Sequence, residues 1–235
     1  MSLVETDWLD QNLNDVKIID CSWHMPQTKR VGFEEYKKVH IPNAIFFDLD
    51  KNSKKNTSLP HMLVEKMDWE EIVSKLGIKN DDKIIIYDNS DVISSCRCWF
   101  NFIYFGHNAE MVHVLNGGLK KWIKEKRKIT KDLKNIEISE YKGLENKELI
   151  KNMKMIDQNI DTQEFKVIDA RSRERFEGKI PEPRKGLRSG NIKNSWCLPF
   201  NECLNDDKTF KNKKDLQEIF DAYIKDGQEI EIVFS

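Results

Sequence analysis

Thiols are the first side chains to test for chemistry, because a thiolate can be a nucleophile, a metal ligand or half of a disulfide. The 235-residue chain carries five: Cys21, Cys96, Cys98, Cys197 and Cys203. A cysteine phosphatase needs Cys-x5-Arg to cradle phosphate. Six residues beyond each cysteine stand Gln27, Phe102, Tyr104, Cys203 and Thr209, so that chemistry is excluded. There is no CxxC pair and no Cys/His cluster with zinc spacing, so no metal or other cofactor is expected. An odd number of cysteines argues against a disulfide framework and for a reducing compartment, the cytoplasm. Cys96 and Cys98 lie among Trp99, Phe100, Phe102 and Phe105 and read as buried helix thiols. Cys21 follows an apolar run, and Cys197 and Cys203 flank Leu-Pro-Phe; all three read as structural.

The elements around these residues read as one pattern told twice. KIIDCSW at 17–23 returns as KVIDARS at 166–172, and HIPNAIFFDLD at 40–50 as NIKNSWCLPFNECL at 191–204. KIIIYDNS at 83–90 returns as EIEIVFS at 229–235, the three offsets being 149, 151 and 148 residues. Short β-branched runs ending in a polar residue fit buried parallel strands that open into loops. Between them, DWEEIVSKLGI at 68–78 and KNKKDLQEIFDAYI at 211–224 have helical period, the first with Gly77 near its end. Strands alternating with helices predict an α/β fold, a parallel sheet flanked by helices in each of two domains. The boundaries predicted are 1–129 for the first domain, 130–148 for a charged linker of weak periodicity, and 149–235 for the second.

Charge and hydropathy narrow the function classes. Lys and Arg total 39 against 40 Asp and Glu, a formal charge of −1, which gives no electrostatic footprint for nucleic acid or an acidic membrane surface. No apolar run approaches a membrane span, and the N-terminus carries acids early, so neither a span nor a secretory signal is expected.

HIPNAIFFDLD, LPHML at 59–63, LNGGLKKW at 115–122 and above all DARSRERFEGKIPEPRKGLRSGNI at 169–192 resemble the two-domain 3-mercaptopyruvate sulfurtransferases and thiosulfate sulfurtransferases, the rhodaneses. The similarity runs from Leu3 to Ser235. It implies tandem rhodanese domains and transfer of sulfane sulfur from 3-mercaptopyruvate or thiosulfate to cyanide or another thiophilic acceptor. In that family the carrier is a cysteine persulfide, formed where a strand enters a tight loop closed by a helix. Inward-pointing backbone N–H groups there stabilise the thiolate. The resemblance puts this cysteine at position 236, one beyond Ser235, the counterpart of Tyr87. The second domain is therefore expected to stop before the catalytic loop and to be incomplete. Asp88 holds the corresponding place in the first domain, which reads as the non-catalytic copy.

The resemblance also assigns roles to residues that are present. Arg175, in RERF, matches the arginine that binds the anionic end of the donor, and Arg184, in PEPR, a second one. Guanidinium forks suit a planar carboxylate, which each can bond bidentately. Arg171 and Arg188 are weaker candidates, and Arg171 reads as a brace for its loop. Asp50 and His61 match an aspartate and a histidine that face the active site across the domain cleft and join a loop serine in a proton relay. Imidazole exchanges protons near neutrality, which suits it to that work. The partners implied are a small anionic sulfur donor and a thiol or cyanide acceptor.

Two departures accompany the expected ending. Asn191 and Lys193 stand where the His and Pro of the second HIPG-like turn would be, removing a residue that presets φ. The competing reading is a non-catalytic rhodanese-like module that uses the remaining anion pocket for a partner. An incomplete second domain would expose sheet backbone and be only marginally stable.

Overall fold

A computed structural model describes residues 2–183, 186–223 and 231–235, which fall into two compact units, 1–147 and 148–235.

The first unit is built on a five-stranded sheet of β1 (Leu3–Val4), β2 (Lys17–Asp20), β3 (Ala44–Phe46), β4 (Ile84–Tyr87) and β5 (Val112–Leu115). All pairs are parallel and the order is β1-β5-β4-β2-β3. The helices are α1 (Thr6–Gln11), α2 (Gly32–Tyr36), α3 (Lys66–Lys75), α4 (Ser94–Tyr104) and α5 (Gly118–Lys124). An unbroken apolar strand such as IIIY is stable only when covered on both faces, because its side chains alternate. Ile84 and Ile86 accordingly enter one core with Trp69, Val73, Cys98, Phe102 and Phe105 of α3 and the α4 end. Ile85 and Tyr87 enter the other with Leu9, Tyr36, Leu119 and Trp122 of α1, α2 and α5.

Residues 130–147, inside the stretch read as a linker, lie along this unit. Thr130 and His40 exchange backbone hydrogen bonds of 2.9 Å, and Ser139 Oγ donates to the Ile78 carbonyl at 2.6 Å. Tyr141 is 1% exposed and stacks on His107 with centroids 5.8 Å apart. One buried aromatic ring and a few main-chain bonds hold the segment, too sparse an apolar pattern to show a period in the sequence.

In the second unit, β6 (Phe165–Asp169) lies between β7 (Trp196–Cys197) and β8 (Glu231–Phe234), all parallel, with α6 (Met153–Thr162), α7 (Arg173–Phe176) and α8 (Lys213–Asp221). The order β7-β6-β8 repeats β3-β2-β4, as the three sequence blocks require. The main-chain bonds at the strand ends repeat as well. Cys21 N–H donates to Tyr87 O at 2.9 Å and Ala170 N–H to Ser235 O at 3.1 Å. Phe47 N–H donates to Asp20 O at 2.8 Å, and Leu198 N–H to Asp169 O at 3.0 Å. Ser235 is thus the structural counterpart of Tyr87. β8 is less covered than β4: Phe234 is 56% exposed, whereas all four residues of β4 are buried.

Candidate functional site

Loops at the carboxyl ends of parallel strands are where α/β sheets present chemistry. In the first unit, the chain leaving β3 brings Asp50 to the end of the sheet, and the turn before α3 brings His61. His61 Nε2 lies 2.8 Å from Asp50 Oδ1. A carboxylate only accepts, so the imidazole donates the shared proton and is left with Nδ1. His61 sits at φ +55°, a left-handed conformation uncommon outside glycine. Its carbonyl accepts a hydrogen bond from Arg97 Nη2 of α4. Asp50 is anchored by Trp23, whose indole N–H is shared between Oδ1 and Oδ2 at 3.0 Å each. The Trp23 and His61 rings meet edge to face, centroids 4.8 Å apart at 87°. Asp50 also borders a hollow of about 290 Å³ lined by Trp23, His24, Arg30, Phe33 and Asp48.

The second unit carries the arginines. Arg175, on α7, gives Glu182 its Nε at 3.3 Å and Nη2 at 2.5 Å. This engages the edge of the guanidinium that bears Nε and Nη2. Arg171 gives Nη1 to the same Glu182 at 2.7 Å, Nε and Nη2 to Asp169, and Nη2 to the Gly190 carbonyl at 2.8 Å. Arg171 is consumed as a brace. Glu182, its side chain 3% exposed, bridges both arginines, and the Arg175 bond holds its carboxyl below the usual glutamate range. Arg184 lies outside the described residues; Arg188 is exposed. Asp50 and His61 are together in one unit, and Arg175 belongs to the other.

The thiols are not poised for attack. Burial pushes Cys96 up to about 12 and raises Cys21, Cys197 and Cys203 above the ordinary thiol value, whereas a nucleophilic cysteine needs the opposite shift. The loop after β4 holds a carboxylate instead. Asp88 Oδ1 accepts Ser90 N–H at 2.7 Å and Oδ2 accepts Ser95 N–H at 2.8 Å, so Asp88 fills its own N–H cradle and caps α4. Among the described residues no group of three or more His, Cys, Asp or Glu side chains could hold a metal ion.

Trp23, Arg97 and Glu182 were not legible as site residues. Trp23 stands in the strand-end DCSW block and Glu182 directly between the prolines of PEPR, so position offered a signal; the bonds did not.

Two α/β units with the same central strand order, each presenting polar side chains from its strand-end loops, define a duplicated parallel-sheet protein. The rhodanese-like domain profile matches residues 5–125. Thiosulfate/3-mercaptopyruvate sulfurtransferase 1, mitochondrial, of Arabidopsis thaliana is 38% identical over 93% of this chain and 63% of its own length. Thiosulfate sulfurtransferase of Bos taurus is 33% identical over 94% of this chain and 76% of its own. The crystal structure of SseA from Escherichia coli, described as a 3-mercaptopyruvate sulfotransferase, superposes with a TM-score of 0.88 at 26% identity, covering 100% of this chain and 87% of that one. The chain belongs to the rhodanese family, and it spans under two thirds of the length of the Arabidopsis relative.

Proposed function

We propose that the protein moves sulfane sulfur from a small anionic donor, 3-mercaptopyruvate or thiosulfate, to cyanide or a thiol through a cysteine persulfide. The observation that carries this reading is the Asp50–His61 pair at 2.8 Å, a carboxylate and an imidazole joined as a proton relay requires. Arg175, its far edge fixed by buried Glu182, offers its guanidinium end to the donor's anionic group, and Arg184 is the second candidate for that group. With 3-mercaptopyruvate, the thiolate attacks the sulfur, the C–S electron pair passes to the departing carbon, and a proton completes pyruvate. The relay of His61 and Asp50 serves that proton. With thiosulfate the S–S bond breaks and sulfite leaves. In either case cyanide then takes the outer sulfur as thiocyanate and regenerates the thiolate.

The family's nucleophile maps to the position after Ser235, and the five cysteines of residues 1–235 do not replace it. A polypeptide of these residues is expected to bind donor without turnover. The raised thiols favour a second reading for that polypeptide, an anion-binding module without chemistry of its own. The codons after 235 separate the two: a Cys-Gly-Ser-Gly-like loop supports the enzyme, its absence in every frame the module. Turnover is read as thiocyanate from thiosulfate and pyruvate from 3-mercaptopyruvate; robust turnover by residues 1–235 would refute the placement of the nucleophile. All five cysteines are free, which fits a reducing compartment such as the cytoplasm. No helix among the described residues is long and apolar enough to cross a membrane.

A further inference from the structure

The strand-to-helix loop of the first unit holds no thiol, yet its side chains are heavily engaged with one neighbour. Trp23 is gripped through its backbone from both sides. Its N–H donates to Ser94 Oγ at 3.1 Å and its carbonyl accepts from Ser90 Oγ at 2.5 Å. Ser94 Oγ in turn donates to the Cys21 carbonyl at 2.6 Å, tying the same loop to the end of β2. The loop is itself pinned by Asp88, whose two oxygens take the N–H groups of Ser90 and Ser95. A chain of bonds therefore runs from Asp88 through Ser90 to Trp23, and from the Trp23 indole to both oxygens of Asp50.

A second line runs from the helix that follows. Arg97 lies less than one turn beyond Ser94 on α4, and its Nη2 holds the carbonyl of His61 at the left-handed turn. Its Nε is buried without a hydrogen-bond partner among the described residues. Asp50 needs such help: its side chain is 68% exposed, and among the described residues His61 is the other side chain bonded to its carboxylate. An exposed carboxylate left to itself samples several rotamers, and a relay works only in the one that meets the imidazole.

We infer that loop 88–95 and the start of α4, which in this unit carry no nucleophile, act as a scaffold for the relay, with Trp23 and Arg97 as its positioning residues. Trp23 sets the Asp50 rotamer by a shared N–H and limits the His61 ring by edge contact; Arg97 sets the His61 backbone. That both residues serve the reaction rests on the relay reading of Asp50 and His61.

The test uses isotope-labelled protein of residues 1–235 and Trp23→Phe, which keeps an aromatic ring but removes the donor. Side-chain couplings of Asp50 and ring carbon relaxation of His61 are the readouts, because a purely packing role for Trp23 would leave both unchanged. In the parent protein Asp50 is expected in one rotamer and the His61 ring to be ordered. In the variant no staggered well of Asp50 should hold more than about two thirds of the population, and the ring should become mobile. A single Asp50 rotamer with an ordered ring in Trp23→Phe would overturn the inference. Should that variant not fold, Asp50→Asn provides the same test from the acceptor side. A clear change in the Trp23 indole N–H resonance supports the shared bond, and an unmoved resonance overturns it. Arg97→Met should broaden the His61 amide and ring signals, and unchanged signals there would remove Arg97 from the scaffold. His61→Gln with undiminished sulfur transfer in a catalytically competent polypeptide would sink the relay reading alone, leaving the positioning result intact.

Discussion

Glu182→Gln removes one charge from the centre of the second unit's arginine loop while preserving shape. The Glu182 side chain is 3% exposed, and it is the acceptor for Arg175 Nε and Nη2 as well as for Arg171 Nη1. Breaking a fully buried pair by deleting one partner costs about 3–5 kcal/mol. Here the arginine side chains are 25% and 29% exposed, so water recovers part of the loss, and Arg171 keeps Asp169. The expected destabilisation is about 2 kcal/mol. With a urea dependence near 1 kcal/mol/M for so small a unit, the midpoint should fall by about 2 M. Trp196 is the one tryptophan between residues 148 and 235, so its resonance in fluorotryptophan-labelled protein follows this unit separately. The effect has a pH signature. The folded Glu182 carboxyl is held below its ordinary value, chiefly by Arg175, so its stabilisation is complete above the unfolded value of about 4.3 and fades as pH falls through the lower folded one. The gap between parent and variant should therefore be full at neutral pH and close in acid. A variant that unfolds within about 0.5 kcal/mol of the parent at neutral pH would refute the bridging role.

Three further outcomes follow from the first unit and the thiols. Tyr141→Ala should cost the first unit about 3–5 kcal/mol, read by thermal unfolding, since a ring 1% exposed leaves a cavity; a change under about 1 kcal/mol would mean 130–147 is not part of its core. Burial lifts Asp20 to about 7, so the folded state binds a proton that the unfolded state, near 3.9, releases. The first unit should accordingly gain stability as pH falls from above 7 toward 4, and Asp20→Asn should flatten that rise in urea midpoints. Alkylation at neutral pH should be slower at Cys21, Cys96, Cys197 and Cys203 than at free cysteine; one fast, stoichiometric label among them would contradict the burial argument.

Much of the frame was legible because it is driven by apolar burial. Strands at 17–20, 84–87 and 165–169 are built on adjacent β-branched residues, and the nearly constant offset between repeats predicted the correspondence that the strand-end hydrogen bonds display. Helix α3 followed from its period and begins two residues before the DWEEIVSKLGI segment that showed it. Arg171 as a loop brace could be argued from its place after a strand-end aspartate, and its bonds have that form. β1 is two residues long and gains its structure from pairing with β5, which no local pattern can show. Trp23 and Glu182 were hidden for a related reason. Trp23 acts through an indole bond to Asp50, 27 residues away, and Glu182 through bonds to two arginines within a loop of ordinary polar composition, and such bonds leave no periodic trace.

The central claim, an anionic sulfur donor held by the second unit's arginine, is tested most directly by calorimetric titration of residues 1–235 with thiosulfate and with 3-mercaptopyruvate. The parent should bind at least one of the two, and Arg175→Met should weaken that binding by about tenfold or more, as loss of a charge-assisted bond of 1.5–3 kcal/mol requires. Equal binding by parent and variant would contradict the account.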